Sequence, residues 1–350
     1  YGDHRDLHKE YRRQRQMCIR DSNIAALAPV DEYVSKLEEI NVSCYNVSLN
    51  PKGTNPLKDI GLVYQYYKLF SELKPDVVFS FTIKPNIYGN LAARILNIPT
   101  INNISGLGTL FIKMSFTSHI GKLLYKLSLS SSSHVFFQNS DDKQLFIENK
   151  LVKPNTASTI PGSGVDIDKF SFNRTKNEGN KFLFVGRLIA DKGVLEYLDA
   201  AVSVLKEHPH KEFLLVGELG YNNKTALSKK QLENYTSNYI QIKYLGKTDD
   251  IVSLLKSVDV MVLPSYREGL SKSLIEAAAM NLPIITTNVP GCRDVVEDEF
   301  NGFLCEPKSK YSLEKAINKV LNLTENERLE FGLNGREKVI NKFLAKKVVN

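Results

Sequence analysis

The chain has 350 residues, 42% of them apolar and 24% charged, with four cysteines and a formal net charge of +7 at neutral pH. That length exceeds one ordinary hydrophobic core and suits two, in a composition typical of globular proteins. No run of about 18 apolar residues or intact signal peptide occurs, and Cys18, Cys44, Cys292 and Cys305 show neither metal-ligand spacing nor a disulfide framework, so a protein of the reducing cytoplasm is expected.

In chain order, residues 1–22 have no strand alternation or helical amphipathicity. They resemble translated sequencing-adaptor read-through from a metagenomic assembly and are read as a non-native leader. A strand is predicted over Asn23–Pro29 and a helix over Asp31–Ile40. Strand Val77–Phe81, helix Ile87–Leu96 and strands Thr100–Ile104 and Val135–Ser140 follow, and Pro161–Asp166 is small and turn-forming, as expected of an interdomain hinge. Beyond it, short apolar strands at Phe182–Val185, Phe213–Gly217, Ile240–Gly246 and Val260–Leu263 alternate with helices at Val194–Lys206, Asp250–Lys256 and through Ala277–Met280. This grammar predicts parallel sheets covered by helices, with ligands at the carboxyl edges of the strands. The expected domains are residues 23–165 and 166–350, the second ending in a helix cut short at Asn350.

Two motifs carry chemistry. After strand Phe182–Val185, Gly186-Arg187 and Lys192-Gly193 place two cations five residues apart in a loop, where they can converge on a diphosphate by bidentate and point-charge contacts. After strand Val260–Leu263, Glu268 lies in a Gly-marked loop and Glu276 about a turn and a half into the next helix. Gly269, Leu270 and Ser271 lead into that helix start, whose free N–H groups and dipole suit a diphosphate. The two carboxylates can accept hydrogen bonds from sugar and ribose hydroxyls respectively. Asp249-Asp250 reads as a helix N-cap, not a metal site.

With Pro283–Thr287 and Pro290-Gly291 behind them, these motifs resemble the retaining glycosyltransferases of family 4, over about residues 23–345. The resemblance implies an α/β fold of GT-B type, two Rossmann-like parallel-sheet domains facing across a cleft. It implies that Arg187 and Lys192 clamp the donor phosphates and that Gly246, Lys247 and Thr248 meet the nucleotide base through their backbone. It also implies that the first strand and helix of the N-terminal sheet are missing. In the mechanism favoured for such enzymes, the acceptor hydroxyl attacks the face that the diphosphate leaves, and the leaving phosphate takes the proton. Arg187, Lys192 and helix-start amides would then stabilise the developing charge while Glu268 orients the sugar, with no metal or other cofactor.

On the acceptor side, Phe81–Asn90 and Ile104–Thr109 resemble the bacterial subgroup that extends undecaprenyl-diphosphate-linked sugars for capsule, O-antigen or protein glycans. Lys84 is expected to meet the acceptor diphosphate or the donor phosphate, and Gly106 and Gly108 to let backbone approach a ligand. No histidine follows the motif that many relatives place near the sugar, and His119 and His134 are expected on a helix surface or in the core.

Charge points to a second partner. From Val77 to Ser140 there is no acidic residue, while Lys84, Arg94, Lys113, Lys122 and Lys126 all fall there. Phe116, Ile120, Leu123, Leu124 and Leu127 share one helical face flanked by His119, Lys122 and Lys126. Either this face rests on an anionic membrane surface or it is a core face with a basic rim. Nucleic acid is not expected, since no recognition motif accompanies the charge.

The sequence therefore predicts a glycosyltransferase, peripheral at the inner face of the cell membrane. It would move a hexosyl or N-acetylhexosaminyl group from a UDP-sugar to a polyprenyl-diphosphate-linked sugar. The alternatives are a sugar-nucleotide epimerase of the same fold, or a non-catalytic nucleotide-sugar-binding protein.

Overall fold

The computed structural model describes residues 23–30, 33–49, 56–107, 116–220 and 225–349. The leader 1–22, Asp31, Gly108 and Lys113 lie outside the described residues. The chain divides into two compact units, one containing Tyr1–Ile104, Met114–Phe136 and Phe146–Ala157, the other Ser105–Lys113, Phe137–Leu145 and Ser158–Asn350.

The first unit opens with β1 (Ala25–Ala28) and β2 (Ser43–Asn46), a parallel pair with α1 (Val34–Glu38) between them in the chain. Helix α2 (Pro56–Leu73) leads to β3 (Val78–Phe81), and a π-helix over Pro85–Gly89 runs into α3 (Asn90–Ile95). Then come β4 (Thr100–Ile104), α4 (Phe116–Leu129), β5 (His134–Phe137) and β6 (Ala157–Thr159), the sheet order being β3-β4-β5-β6; α5 (Ser140–Glu148), between β5 and β6 in the chain, begins in the second unit, which takes Phe137–Leu145. Leu62, Tyr66 and Phe70 of α2 form the core with Val47, Ala92 and Ala93, and Leu27 and Val78 pack against it.

The predicted helix Ile87–Leu96 is therefore π at its start, where two amides point inward. Asn90 and Asn102 exchange hydrogen bonds at 3.0 Å in both directions, and Asn102 also donates to Asn86 Oδ1 at 2.9 Å. Buried amides must be paired in this way, because a polar group taken out of water unpaired is costly. The predicted strand Val135–Ser140 stops at Phe137 for a local reason: Asn139 Oδ1 accepts from Asp142 N at 2.7 Å and caps α5.

Helix α4 turns Tyr125, Ser128 and Leu129 inward, with Ser118 and Gly121. Of its apolar stripe, Ile120, Leu123 and Leu127 face out at 43%, 57% and 48% exposed and Leu124 is half-buried, while the Phe116 side chain lies outside the described residues. His119 and Lys126 are exposed beside them, and Lys122 is half-buried.

The second unit is a six-stranded sheet of β7 (Lys181–Val185), β8 (Glu212–Val216), β9 (Ile242–Tyr244), β10 (Val260–Leu263), β11 (Ile284–Thr287) and β12 (Gly302–Cys305). The order is β12-β11-β10-β7-β8-β9, and every neighbouring pair is parallel. The helices are α6 (Val194–Glu207), α7 (Lys229–Asn238), α8 (Ile251–Lys256), α9 (Lys272–Ala279), α10 (Lys310–Asn322), α11 (Glu325–Lys342) and α12 (Ala345–Val349). Strands β10 and β11 are buried along their whole length, as strands covered on both faces should be, and Thr286 and Thr287 of β11 satisfy their hydroxyls by donating to Leu263 O and Ser265 O. Inside, the Tyr197 hydroxyl donates to Phe182 O at 2.9 Å and Leu214 O at 3.0 Å, which satisfies its polar end in a fully buried position. Asp250 caps α8 by accepting from Ser253 N at 3.0 Å, as the sequence predicts.

A tight turn precedes β12. Asn301 is fully buried, accepts from Glu297 N at 2.7 Å and donates to Val295 O at 3.1 Å. The next residue, Gly302, lies so close to β11 that a Cβ would stand 2.0 Å from Ile284 O.

The strand order reverses between β7 and β10, so the loops that follow these two strands lie side by side at the carboxyl edge. In an open α/β sheet that switch point is where ligands bind.

Candidate functional site

The loop after β7 carries Gly186, Arg187 and Lys192. Gly186 N donates to Val216 O at 3.1 Å, and a Cβ on Gly217 would meet Gly186 O at 2.0 Å. The ends of β7 and β8 thus present bare backbone. Gly217 N in turn donates to Gly246 O at 2.9 Å, which brings Lys247 and Thr248 to the same edge. Arg187 and Lys247 are exposed; Thr248 is half-buried, and its Oγ1 accepts from Asp250 N at 3.1 Å.

A 3-10 turn, Ala190–Lys192, ends at Gly193 with φ 72°. Glycine is required here on two counts, the left-handed conformation and a Cβ that would fall 2.0 Å from Pro264 O. This close approach joins the turn to the loop after β10. Asp191 O accepts from Tyr266 N at 2.9 Å and from Ser265 Oγ at 3.2 Å.

Lys192 and Glu268 meet across that seam as an ion pair, with side chains only 17% and 12% exposed. Ser265 Oγ donates to the same carboxylate oxygen, Glu268 Oε1, at 2.7 Å. The Glu268 backbone is held from behind by Pro290-Gly291: Glu268 N donates to Pro290 O and Ser271 N to Gly291 O, both at 3.2 Å. Ser271 is buried at the N-cap of α9, and Glu276, 6% exposed, lies one turn in with Lys272 Nζ 3.9 Å from its Oε1.

Of the predicted residues, the structure therefore gathers Gly186, Arg187, Lys192, Lys247, Thr248, Glu268, Gly269, Leu270, Ser271 and Glu276 along the carboxyl edge of the second unit's sheet. Gly106 also belongs to this unit, packed so that a Cβ would be 3.1 Å from Gly269 N. Lys84 belongs to the first unit, where its Nζ is 2.6 Å from Asp59 Oδ1 and Tyr88 OH donates to Asp59 Oδ2 at 2.9 Å.

Several residues escaped the sequence reading. Ser265 lies in the loop two residues beyond a wholly apolar strand and bears no motif signal. Tyr266 donates to Glu196 at 2.6 Å, Arg267 pairs with Asp142, and Asn139 Nδ2 donates to Gly269 O at 2.6 Å. Burial pushes the Asp142 carboxyl up, against the opposing pull of Arg267. Burial likewise raises the Cys292 thiol to about 12, helped by the charge of nearby Glu268, so this cysteine is a neutral packing group.

The assembled edge offers bare strand-end backbone, the cations Arg187, Lys192 and Lys247, helix-start amides and two carboxylates. Residues 166–338 match the family model for group 1 glycosyl transferases and residues 20–139 the model for 4-like glycosyl transferases. The chain belongs to the group 1 glycosyltransferases. It is 29% identical over 86% of its length to 78% of the Escherichia coli UDP-Gal:alpha-D-GlcNAc-diphosphoundecaprenol alpha-1,3-galactosyltransferase. It is 28% identical over 90% of its length to 85% of the Campylobacter jejuni N,N'-diacetylbacillosaminyl-diphospho-undecaprenol alpha-1,3-N-acetylgalactosaminyltransferase. Among solved glycosyltransferase folds it superposes on Anabaena Alr3699/HepE in complex with UDP and glucose, with a TM-score of 0.76 and 18% identity, covering 99% of this chain and 94% of that one. The architecture of this glycosyltransferase is GT-B. Among the described residues no helix is long and apolar enough to cross a membrane.

Proposed function

We propose that this glycosyltransferase moves a hexosyl or N-acetylhexosaminyl group from a UDP-sugar to a sugar carried on a polyprenyl diphosphate, with retention of the α configuration, in bacterial glycan assembly. The observation that carries the donor reading is the Lys192–Glu268 pair at the switch point of the sheet, flanked by Arg187 and the start of α9. A UDP-sugar laid along this edge would set its diphosphate among Arg187, Lys192 and the α9 amides. Glu276 would take the ribose and Glu268 the sugar hydroxyls. As the glycosidic bond breaks, negative charge grows on the departing diphosphate, and fixed cations and amides stabilise it without reorganising. These groups supply the positive charge from the chain itself, which supports a metal-independent reaction. The acceptor class rests on the names of the two relatives, both of which act on diphosphoundecaprenol-linked sugars.

A lipid-linked acceptor implies work at a membrane surface. The exposed stripe Ile120, Leu123 and Leu127, with His119, Lys122 and Lys126 around it, has the make-up of an in-plane interfacial helix. The proposed location is accordingly the inner face of the cell membrane, held by anionic lipid.

The test is product analysis with a panel of UDP-hexoses and UDP-N-acetylhexosamines and a polyprenyl-diphosphate-linked sugar, in the presence and absence of EDTA. A new α-glycosidic bond on the lipid-linked sugar, formed equally with chelator, is the expected result. An isomerised nucleotide sugar with no new bond would make the protein an epimerase instead, and UDP binding without either product would make it a binding protein.

A further inference from the structure

We propose that Asp142 and Arg267 are a positioning pair that fixes Glu268, and that the first turn of α5 clamps both loops around that carboxylate. The inference rests on the reading of Glu268 as the group that orients the donor sugar. All the residues involved belong to the second unit.

Two consecutive carboxylates at the start of α5 reach two different loops. Asp142 pairs with Arg267, the residue before Glu268. Asp141 pairs with Arg293, in the stretch just after Pro290-Gly291, which holds the Glu268 backbone. Between them stands Asn139, whose Oδ1 caps α5 and whose Nδ2 donates to Gly269 O, the residue after Glu268. Glu268 is thus bracketed in sequence by two residues tied to one helix start. Gly269 admits no alternative seat, since a Cβ there would lie 2.0 Å from Ser105 O.

Burial makes the Asp142 contact an exacting one. The Asp142 side chain is 0% exposed, and its Oδ2 and the Nε of Arg267 are both buried without a hydrogen-bond partner. A single end-on contact therefore joins the two charged side chains. A buried charge stripped of its partner cannot be rescued by water, so the loop must move to resolvate it. The nearest thing that moves with Arg267 is Glu268.

A merely structural pair would affect stability and all ligands alike. A positioning pair separates ligands that touch Glu268 from those that do not. The experiment is calorimetric titration of Asp142→Asn, Arg267→Gln, their double variant and Arg267→Lys with UDP and with UDP-N-acetylgalactosamine, beside melting curves and Glu268→Ala. Expected is a loss of roughly tenfold in affinity for the UDP-sugar in each of Asp142→Asn and Arg267→Gln, with UDP affinity within about twofold of the original. The double variant should lose no more than either single change, and Arg267→Lys should recover part of the loss. Should Asp142→Asn fail to fold, the half-exposed pair supplies the same test through Arg293→Gln, with a smaller loss in the same direction. Equal losses for UDP and UDP-sugar, or losses that multiply in the double variant, overturn the proposal. If Glu268→Ala itself leaves UDP-sugar binding and turnover intact, it is the underlying reading of Glu268 that fails.

Discussion

Glu268 and Glu276 are chemically identical, and their surroundings differ. Glu268 shares one oxygen with Lys192 and Ser265, whereas Glu276 is buried one turn into α9. Glu276→Ala should weaken UDP itself by about 1.5–3 kcal/mol, the worth of a charge-assisted hydrogen bond, and Glu268→Ala should chiefly impair turnover of UDP-sugar. Titration of UDP into both variants checks this, and equal losses would count against the division. If Arg187 and Lys192 clamp the departing diphosphate as proposed, Arg187→Ala and Lys192→Ala should each lower kcat by about 10²-fold at saturating donor, since charge there grows toward the transition state. Near-normal turnover in either variant would remove that cation from the clamp. The sequence made these four residues legible because charged groups after apolar strands fall at a sheet's binding edge. It did not reveal that Lys192 and Glu268, 76 positions apart, pair with each other, because nothing local in either motif encodes the other. Ser265 was invisible for a related reason: a small polar residue in the loop just beyond a buried strand looks like any loop residue.

At the scale of elements, helix α4 shows what periodicity can and cannot deliver. Its apolar stripe was plain in the sequence, but which way the stripe faces depends on the other face, where Gly121, Tyr125 and Ser128 take the interior. The stripe is left outside with its basic flank. If it rests on anionic lipid, each cation contributes about 1 kcal/mol, fading within a Debye length of about 8 Å at physiological salt. Lys122→Glu with Lys126→Glu should then release the protein from anionic vesicles, as should high salt for the unaltered chain, while UDP binding is unchanged. Sedimentation with neutral and anionic vesicles checks it; binding indifferent to charge would return α4 to an ordinary surface helix. Strands β3, β4, β7, β8 and β10 were read nearly to the residue, since continuous apolar runs stand out, whereas the short β2, β6 and β12 were not predicted because too few residues carry the pattern. The π-helix at Pro85–Gly89 was not, because its buried amide pairing to Asn102 joins residues of separate elements.

Across the whole molecule, burial of weak acids sets a limit on the alkaline side. Burial lifts the thiols of Cys292 and Cys305 and the hydroxyl of Tyr66 each to about 12. In the unfolded chain these groups lose their protons near pH 8.5 and 10 respectively. The folded state therefore holds more protons than the unfolded state between those values and about 12. Stability is intact below about pH 8.5 and declines as pH rises through that window. The second unit, which carries both cysteines, should weaken first, and the first unit, with Tyr66, from near pH 10. Melting temperatures measured from pH 8 to 11 test this, and replacing both cysteines with alanine should flatten the early part of the decline. The turn before β12 sets a different kind of limit, one of chemical ageing. Crowding against Ile284 demands glycine at position 302 and the turn demands asparagine at 301, which together spell the dipeptide most prone to spontaneous deamidation. The same two hydrogen bonds that hold the Asn301 amide also keep its carbonyl carbon from the attacking Gly302 nitrogen. Only chains that have opened locally can convert, so isoaspartate and aspartate accumulating at position 301 in stored protein would act as a clock that counts time spent locally open.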